Sequence, residues 1–450
     1  MQIKQFEDKN LSHYSYAVLS KYEKKIILID PARNPRQYFD YAKEHGAQIA
    51  GIIETHPHAD FVSGHLELHQ TTGATIYTSK EVHALYPHQA FDEGQTIQLG
   101  NIKLTALNTP GHSPDSISIL LEHDGKQKAV FTGDTLFIGD CGRPDLREGA
   151  GKIQTTRTEL AKQMYHSLRD KLIKLKDDVT VYPAHGAGTL CGKNLSKESS
   201  STVGEEKKTN WSLQEATEDE FVQNLLADQP FVPHYFPFNV ELNRKGAAGL
   251  KGSIDKIKTG DIADEKTTST LNKTIWVIDT RGEEDFKKGH LPQSINLMEK
   301  GKFETWLGSI IKPGEQFYLA SDSKEQLRTM LERTAAIGYE SQVAEGFVIE
   351  SGSIKEEKLD VGEFKNHQQD YTIIDVRNTS EVKEEKIFQK SISMPLAEIR
   401  SRVNEIPTDK PIVVHCAGGY RSAAASSLIN SQLNGTVKVL DLGEAIKQFP

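Results

Sequence analysis

The stretch THPHADFVSGH, residues 55–65, places three histidines and one aspartate within eleven residues. It follows the apolar run IAGIIE, which has the pattern of a buried strand. His56, His58 and Asp60 alternate along the chain, so in an extended loop their side chains can face one point. Imidazole and carboxylate together bind metals such as zinc and iron. Phe61 stands where a further ligand could be. The stretch therefore predicts a metal site at a strand end and leaves open how many ions it holds.

Three further polar residues end apolar runs in the same part of the chain. The runs IKLTALNTPGH, KAVFTGDT and VTVYPAHG carry His112, Asp134 and His185 at or near their carboxyl ends. Alternating strands and helices over residues 1–190 predict an α/β domain whose strands place functional residues at their ends. One loop histidine is usually structural, but six metal-ligating residues on four strand ends predict a metal centre. His65 is expected to be structural, on the helix that follows.

Length and composition indicate a soluble protein of several domains. One hydrophobic core seldom exceeds about 250–300 residues, so a chain of 450 residues predicts two or three domains. A net charge of −9 argues against a general nucleic-acid binder, which needs a basic surface. No window has the apolar length of a membrane span, and the first residues lack the apolar run of a secretory signal. Three widely spaced cysteines form no disulfide framework. We expect a cytoplasmic protein without nucleic-acid or membrane partners.

The C-terminal part of the chain contains a repeat. TIWVIDTRGEEDFKKGHLPQSINL resembles YTIIDVRNTSEVKEEKIFQKSISMPL, and each has an apolar strand, Asp-x-Arg, an acidic helix and a small-residue turn. Asp279 of the first copy corresponds to Asp375 of the second, and at nearly the same spacing Ser321 corresponds to Cys416. Two copies of one α/β unit are therefore predicted, the second intact and the first altered.

The second copy contains HCAGGYRSAAASSL, a strand end that runs into a helix. The residues between Cys416 and Arg421 are Ala417, Gly418, Gly419 and Tyr420. Two glycines allow a tight curve in which backbone N–H groups point at the sulfur. The helix would add its positive N-terminal end and Arg421 a charge, and these effects stabilise a reactive thiolate or a cysteine persulfide. A buried inert cysteine would need none of these features; Cys141 and Cys191 are expected to be of that kind.

The combination of THPHAD, the PGHS histidine, FTGDTLF and YPAHG resembles the signature of the metallo-β-lactamase superfamily over about residues 1–190. This resemblance implies an αββα sandwich with metal at one edge. GDTLFIGDCGRPDL and GAGTLCGKN resemble the glyoxalase II-like branch and, more closely, the persulfide dioxygenases. The family pattern His-x-His-x-Asp-His ends in a histidine that helps to hold a second metal, and here that residue is Phe61. A second ion is therefore expected to bind poorly.

The persulfide dioxygenase resemblance implies one iron(II) ion with open positions for substrate and O₂. Its ligands would be His56, His112 and Asp134. His58 would be a neighbouring residue or a fourth ligand, and Asp60 and His185 would orient the ligands by hydrogen bonds. Zinc is the alternative metal, since affinity order alone favours neither in cells.

Arg143, in CGRPD, follows shortly after Asp134. As a substrate-binding residue it would hold a carboxylate or phosphate with its planar guanidinium group. As a structural residue it would pair with Asp140 or Asp145. The two interpretations carry equal weight on the sequence.

The Cys416 loop and the upstream IIDVR resemble the rhodanese sulfurtransferases. A related phosphatase class has one more residue between cysteine and arginine, so the shorter loop favours sulfur transfer. The first copy keeps VIDTR but reads ASDSKEQ in the loop, so it resembles an inactive rhodanese domain that serves as a spacer or docking surface. The predicted domains are residues 1–245, metallo-β-lactamase-like; residues 255–350, inactive rhodanese-like; and residues 355–450, catalytic rhodanese. The predicted fold class is an αββα sandwich followed by two α/β domains with central parallel sheets.

Together the two resemblances imply an enzyme of sulfide detoxification. The first domain would oxidise a low-molecular-weight thiol persulfide with O₂ to sulfite, and Cys416 would carry sulfur to sulfite, giving thiosulfate, or run the reverse reaction. One alternative is a zinc-dependent thioester hydrolase of glyoxalase II type with an appended sulfurtransferase; another is a non-catalytic persulfide carrier or sensor. Glutathione, coenzyme A, bacillithiol and a protein thiol are the candidate carriers. The inactive copy could also serve as the interface of a homo-oligomer.

Overall fold

The fold is known from a computed structural model that describes residues 1–147, 155–260 and 271–449. The chain divides into two units, residues 1–252 with 336–338 and residues 253–335 with 339–450. Within the described residues, no helix is long and apolar enough to cross a membrane.

The first unit contains two six-stranded sheets. Its strands are β1 (Gln2–Asp8), β2 (His13–Ser20), β3 (Lys25–Ile29), β4 (Gln48–Ile53), β5 (Thr75–Thr78), β6 (Gln89–Ala90), β7 (Thr96–Leu99), β8 (Ile102–Asn108), β9 (Ile117–His123), β10 (Lys126–Gly133), β11 (Thr180–Pro183) and β12 (Ser201–Thr202). The first sheet has the order β1-β2-β3-β4-β5-β6 and the second β12-β11-β10-β9-β8-β7. Strands β3 to β6 are parallel, as are β10 and β11, so their carboxyl ends meet at one edge of each sheet.

Helices cover the outer faces of both sheets. They are α1 (Arg36–Glu44), α2 (His65–Thr72), α3 (Arg157–His166), α4 (Val203–Thr209), α5 (Glu218–Leu226), α6 (Tyr235–Lys245) and α7 (Leu250–Ile254). Val18 and Phe131 belong to the core between the sheets. Tyr38 of α1 is buried outside the first sheet, and Met164 of α3 outside the second. The order helix, sheet, sheet, helix confirms the predicted αββα sandwich.

The second unit contains one parallel sheet for each copy of the repeat. Its strands are β13 (Thr259–Gly260), β14 (Trp276–Asp279), β15 (Ser294–Asn296), β16 (Phe317–Ser321), β17 (Val343–Val348), β18 (Thr372–Asp375), β19 (Ile392–Ser393), β20 (Ile412–His415) and β21 (Val439–Asp441). Its helices are α8 (Glu283–Lys288), α9 (Phe303–Ile310), α10 (Lys324–Ala336), α11 (Val361–Asn366), α12 (Thr379–Glu384), α13 (Ile399–Arg402) and α14 (Tyr420–Gln432). The strand orders are β13-β17-β16-β14-β15 and β19-β18-β20-β21, which confirms two α/β domains with parallel sheets.

The two copies share the buried Asp-x-Arg pair at the end of a central strand. Arg281 binds the carboxylate of Asp279 after β14, with Nη2 to Oδ2 at 2.7 Å. Arg377 binds Asp375 after β18 with the same 2.7 Å contact. Because each pair is nearly excluded from water, the ionic hydrogen bonds compensate for burying both charges. The repeated geometry matches the repeated sequence.

Candidate metal centre and sulfur-carrying loop

Three metal-ligating side chains of the first unit converge where strands of both sheets end. His56 follows β4, His112 follows β8 and Asp134 follows β10. All three side chains are buried, and their ligand atoms lie within 4.8 Å of one another. Nε2 of His56 is 3.7 Å, and Nε2 of His112 is 3.6 Å, from Oδ2 of Asp134. The structure therefore brings together the ligand set that the family resemblance implies.

The ligand atoms of this set fit a divalent metal ion. Within the described residues, His56 Nε2 and Asp134 Oδ2 are buried without a hydrogen-bond partner, which is costly unless an ion or water completes them. Burial lowers the pKa of His56 and of His112, so both imidazoles are neutral and keep a lone pair. Two imidazoles and one carboxylate form the ligand set of non-haem iron enzymes, and zinc accepts the same donors.

Hydrogen bonds orient both histidine ligands. Nδ1 of His112 lies 2.9 Å from the carbonyl oxygen of Arg143, to which it must donate. Nδ1 of His56 lies 3.0 Å from the hydroxyl of Thr55, whose own proton is donated to Asp30 at 2.8 Å. The proton of each imidazole is thus assigned to Nδ1, and Nε2 is left free for a metal.

His185 lies between two carboxylates and fixes the third ligand. Its Nδ1 donates to Oδ1 of Asp134 at 2.7 Å, and its Nε2 is 2.8 Å from Oδ2 of Asp60. Burial disfavours a charged imidazole, but Asp134 and Asp60 raise the pKa of His185 well above its ordinary value. Burial would likewise raise the pKa of Asp134, but His185 lowers it well below the usual range. The ion pair leaves Oδ2 of Asp134 directed at the two histidines, in the orienting role expected of Asp60 and His185.

A second group of donors lies beside the first and is poorly suited to a second ion. Its members, with ligand atoms within 4.8 Å of one another, are His58, Asp60 and His185. Both nitrogens of His185 already face carboxylates. The buried ring of Phe61 packs against His58 with centroids 4.3 Å apart, where the family pattern has a further ligand. His58 lies outside the group of His56, His112 and Asp134, and its Nε2 is 3.2 Å from Oδ1 of Asp30.

The side chain of Arg143 is buried and bonded to other groups of the protein. It is 1% exposed and binds both carboxylate oxygens of Asp145, at 2.7 and 2.6 Å. It also donates to the carbonyl oxygens of Leu190 and Pro230. The burial and these bonds favour the alternative in which Arg143 pairs with Asp145, and substrate binding by Arg143 finds no support in these contacts. The backbone carbonyl of Arg143 still orients His112 by accepting a hydrogen bond from its Nδ1.

The sequence pattern does not identify two residues that lie near the metal centre. The thiol of Cys191, assigned to packing, lies with its sulfur within 4.8 Å of ligand atoms of Asp134 and His185; burial raises its pKa. His13 at the start of β2 stacks on Phe61 with ring centroids 3.8 Å apart. Cys191 could have been found because it follows His185 within the same loop. No motif surrounds His13.

The Cys416 loop, all of which the structure describes, directs one backbone N–H at its sulfur, where the sequence pattern predicts several. Cys416 directly follows β20 and is 1% exposed. The backbone N–H of Gly419 donates to its Sγ at 3.1 Å. Gly419 has φ of 97°, a conformation that favours glycine, and α14 begins at the next residue. Ala417 and Gly418 are exposed, so the loop reaches solvent beside the sulfur.

Arg421 is paired with an acidic residue and does not contribute an uncompensated charge. Its guanidinium donates to both carboxylate oxygens of Glu381, at 2.5 and 2.8 Å. Burial works against ionisation of Glu381, but the hydrogen bonds from Arg421 lower its pKa, so both groups stay charged. The charge of Arg421 beside the sulfur is thus balanced by Glu381, and the pair ties the loop to α12.

A cavity of about 650 Å³ opens next to this loop and is lined by both copies of the repeat. Gly418, Gly419 and Tyr420 contribute from the second copy, and Met298 and Lys300 from the first. A small donor or acceptor of sulfur can therefore approach the loop between the copies.

The corresponding loop of the first copy is filled by its own side chains. Ser321 ends β16, and its hydroxyl lies 2.8 Å from that of Thr280. Oε1 of Gln326 accepts from the backbone N–H of Asp322 at 2.8 Å. The polar groups that would surround a sulfur are thus bonded to one another, which agrees with an inactive copy.

Known proteins resemble the two parts of the chain separately. Residues 10–185 match the metallo-beta-lactamase superfamily, and residues 263–348 and 360–445 match the rhodanese-like domain family. The chain is 28% identical over 228 residues to the persulfide dioxygenase ETHE1, mitochondrial, of Mus musculus, covering 50% of this chain and 81% of that protein. It is also 28% identical over 209 residues to the hydroxyacylglutathione hydrolase GloC of Haemophilus influenzae, covering 42% of this chain and 87% of that protein.

A solved structure resembles both parts together. The metallo-beta-lactamase from Staphylococcus aureus subsp. aureus COL has 30% sequence identity and a TM-score of 0.68, and the match covers 78% of this chain and 99% of that one. The match runs well beyond the first domain of this chain. The chain therefore belongs to the metallo-β-lactamase superfamily and carries two rhodanese-like domains after its metallo-β-lactamase domain.

Proposed function

We propose that the protein is an iron(II)-dependent persulfide dioxygenase joined to a sulfurtransferase, acting on a low-molecular-weight thiol persulfide. The observation that carries the proposal is the presence in one chain of two sulfur-compatible sites. One is the buried cluster of His56, His112 and Asp134, and the other is the Cys416 loop with a backbone N–H on its sulfur. A thioester hydrolase has no evident use for the second site.

Iron(II) held by His56, His112 and Asp134 would supply the redox chemistry between O₂ and the persulfide sulfur. The chain keeps the two imidazoles neutral by burial and aims their Nε2 atoms through Thr55 and the carbonyl of Arg143. His185 and Asp60 hold Asp134. The overall reaction consumes one persulfide anion, one O₂ and one water, and yields the thiol, sulfite and a proton.

The second reaction transfers a sulfur atom through Cys416. Its thiolate attacks the outer sulfur of R–S–SH, the carrier S–S bond breaks, and the carrier leaves as a thiolate with the bonding electron pair. The product is a Cys416 persulfide, with the N–H of Gly419 directed at the cysteine sulfur. Sulfite then attacks the outer sulfur, releasing thiosulfate and regenerating the Cys416 thiolate. Tethering raises the effective concentration of the shared sulfite.

Phe61 and His185 support a single metal ion and therefore favour the dioxygenase over a hydrolase that uses two. Phe61 occupies the place of a ligand, and His185 is bound on both sides by carboxylates. The similarity to GloC keeps zinc-dependent thioester hydrolysis as the second candidate.

The test combines metal analysis with O₂ uptake on protein purified without added metal. We expect iron and O₂ consumption with glutathione persulfide, or with the persulfide of another small thiol. His56→Ala should abolish O₂ uptake, whereas Cys416→Ser should retain it and lose thiosulfate formation. Zinc content with no O₂ consumption would favour the hydrolase. Loss of O₂ uptake in Cys416→Ser would contradict two separate sites.

A further inference from the structure

The first rhodanese-like domain supports a segment that reaches the second. Residues 298–301 form this bridging segment. Gln326, whose side chain fills the first copy's own loop, donates to Glu299 at 3.0 Å. Arg333, from the same helix α10, donates to the carbonyl oxygens of Glu299 and Gly301, at 2.5 and 3.3 Å. The bridging segment is thus fixed from within the first copy.

The bridging segment holds one residue of the Cys416 loop, Tyr420, on two sides. The hydroxyl of Tyr420 donates to the carbonyl oxygen of Met298 at 3.2 Å. Gly301 has φ of 122°, and a Cβ at this position would lie 2.6 Å from two ring carbons of Tyr420. Since non-bonded carbon atoms pack at about 3.5–4.0 Å, the ring occupies space that only a glycine leaves open.

Tyr420 adjoins the residue whose N–H binds the sulfur of Cys416. That residue, Gly419, has little room on its other side, where a Cβ would lie 3.1 Å from the backbone nitrogen of Glu444 and 3.2 Å from the carbonyl carbon of Gly443. A shift of Tyr420 therefore moves the Gly419 N–H relative to the sulfur, because neighbouring peptide planes share a Cα atom.

The segment that packs against Gly419, residues 441–444, is also bonded to the first copy. Asp441 accepts from the backbone N–H of Gly443 at 2.9 Å. The same carboxylate accepts from Lys287 of the first copy at 3.0 Å, and both side chains are nearly excluded from solvent. The two copies thus meet on both sides of the sulfur-binding peptide.

We propose that the inactive first copy positions the Cys416 loop through Tyr420, held between the carbonyl of Met298 and the bare backbone of Gly301. The inference rests on the proposed sulfur transfer. It assigns Tyr420 and Gly301 as positioning residues for that reaction. The first copy is then a part of the sulfurtransferase site, even though its own loop carries no cysteine.

The test uses the full chain and four variants: Gly301→Ala, Tyr420→Ala, Tyr420→Phe and the double variant Gly301→Ala/Tyr420→Ala. Gly314→Ala is the matched control in the first copy, because its φ of 85° is also positive and so carries the backbone strain of a substitution, while a Cβ there meets nothing within 4 Å. We measure kcat and KM for sulfur transfer from thiosulfate to cyanide. We also measure hydrogen exchange at the amides of residues 417–421, which needs no activity.

Gly301→Ala should lower kcat by about tenfold or more with little change in KM, because a loop displaced by a methyl group misaligns the reacting sulfur. Exchange at residues 417–421 should accelerate, and Gly314→Ala should change neither quantity. Tyr420→Phe, which keeps the ring and loses one hydrogen bond, should retain kcat within about fivefold of the parent. Tyr420→Ala should match the loss in Gly301→Ala, and the double variant should be no worse than Tyr420→Ala alone.

Three outcomes overturn the positioning role. One is a Gly301→Ala variant with parental kcat and parental exchange. Another is a double variant whose losses multiply, since independent effects would show that Gly301 does not act through Tyr420. The third is a Tyr420→Ala variant with parental kcat and parental exchange. If the parent chain transfers no sulfur but Gly301→Ala still accelerates exchange at the loop, the proposed sulfur transfer fails while the positioning contact stands.

Discussion

Replacing Gly142 by alanine adds one methyl group and should prevent metal binding. It lies in the loop after Asp134, and a Cβ at this position would be 1.9 Å from the carbonyl oxygen of Asp134 and 3.1 Å from Cβ of His112. Its φ lies outside the left-handed region, so the substitution Gly142→Ala meets a steric obstacle and not a backbone preference. The obstacle is the backbone of one metal ligand.

The displacement can be worked out from these distances. A carbon and an oxygen atom that are not bonded need more than 3 Å, so the segment at Asp134 must move by about 1 Å. Metal–ligand distances tolerate only about 0.2 Å. Displacement of this size should therefore empty the site, and O₂ uptake should fall about a hundredfold or more.

The assay measures iron per chain and O₂ uptake with a small thiol persulfide. Gly252→Ala, in α7, is the matched control because a Cβ there meets nothing within 4 Å. Sulfur transfer by Cys416 in the same sample reports that the second unit is folded, and circular dichroism with thermal unfolding reports on the whole chain. Full iron content and parental O₂ uptake in Gly142→Ala would refute the steric argument.

Three further predictions concern other residues of the two sites. Phe61→His adds a donor beside His58 and should raise the total metal content above one ion per chain, measured by elemental analysis; unchanged content would show that the missing ligand is not what excludes a second ion. Asp60→Asn removes one of the two carboxylates that hold His185, and should weaken metal binding about tenfold or more in a competition titration, with unaltered affinity as the contrary result. Burial lowers the pKa of His415 to about 4, so the folded state prefers the neutral imidazole. This contribution to stability is present above about pH 6.5 and is lost as the pH falls towards 4, by about 3 kcal/mol. Urea unfolding of His415→Asn should show a flatter pH dependence than that of the parent, and parallel curves would contradict it.

The convergence of the candidate metal ligands could be predicted because each stands at a strand end. His56, His112 and Asp134 are far apart in sequence, but strands of the two sheets end together at one edge and bring them within 4.8 Å. The repeat could be recognised from the sequence for a similar reason, since Asp279 and Asp375 end equivalent strands. The position of a residue at the end of a regular strand can therefore be predicted from the sequence pattern.

The role of Arg143 could not be predicted because its partners are not local. Asp145 is close in sequence, but the carbonyl groups of Leu190 and Pro230 that complete its environment come from distant loops. Tyr420 shows the same limit, since its partner Met298 belongs to the other copy of the repeat. Contacts made by irregular segments leave no periodic signal in the sequence.

The filled loop of the first copy means that one substitution does not create a reactive thiol there. Restoring a thiol by Ser321→Cys would place sulfur where Thr280 and Gln326 already satisfy the surrounding polar groups. Freeing the loop would need a second change at Gln326, and that change would release Glu299 as well. Either substitution alone removes a hydrogen-bond partner from a polar group of the loop, so a thiol with free space around it needs both changes and the loss of the Glu299 contact.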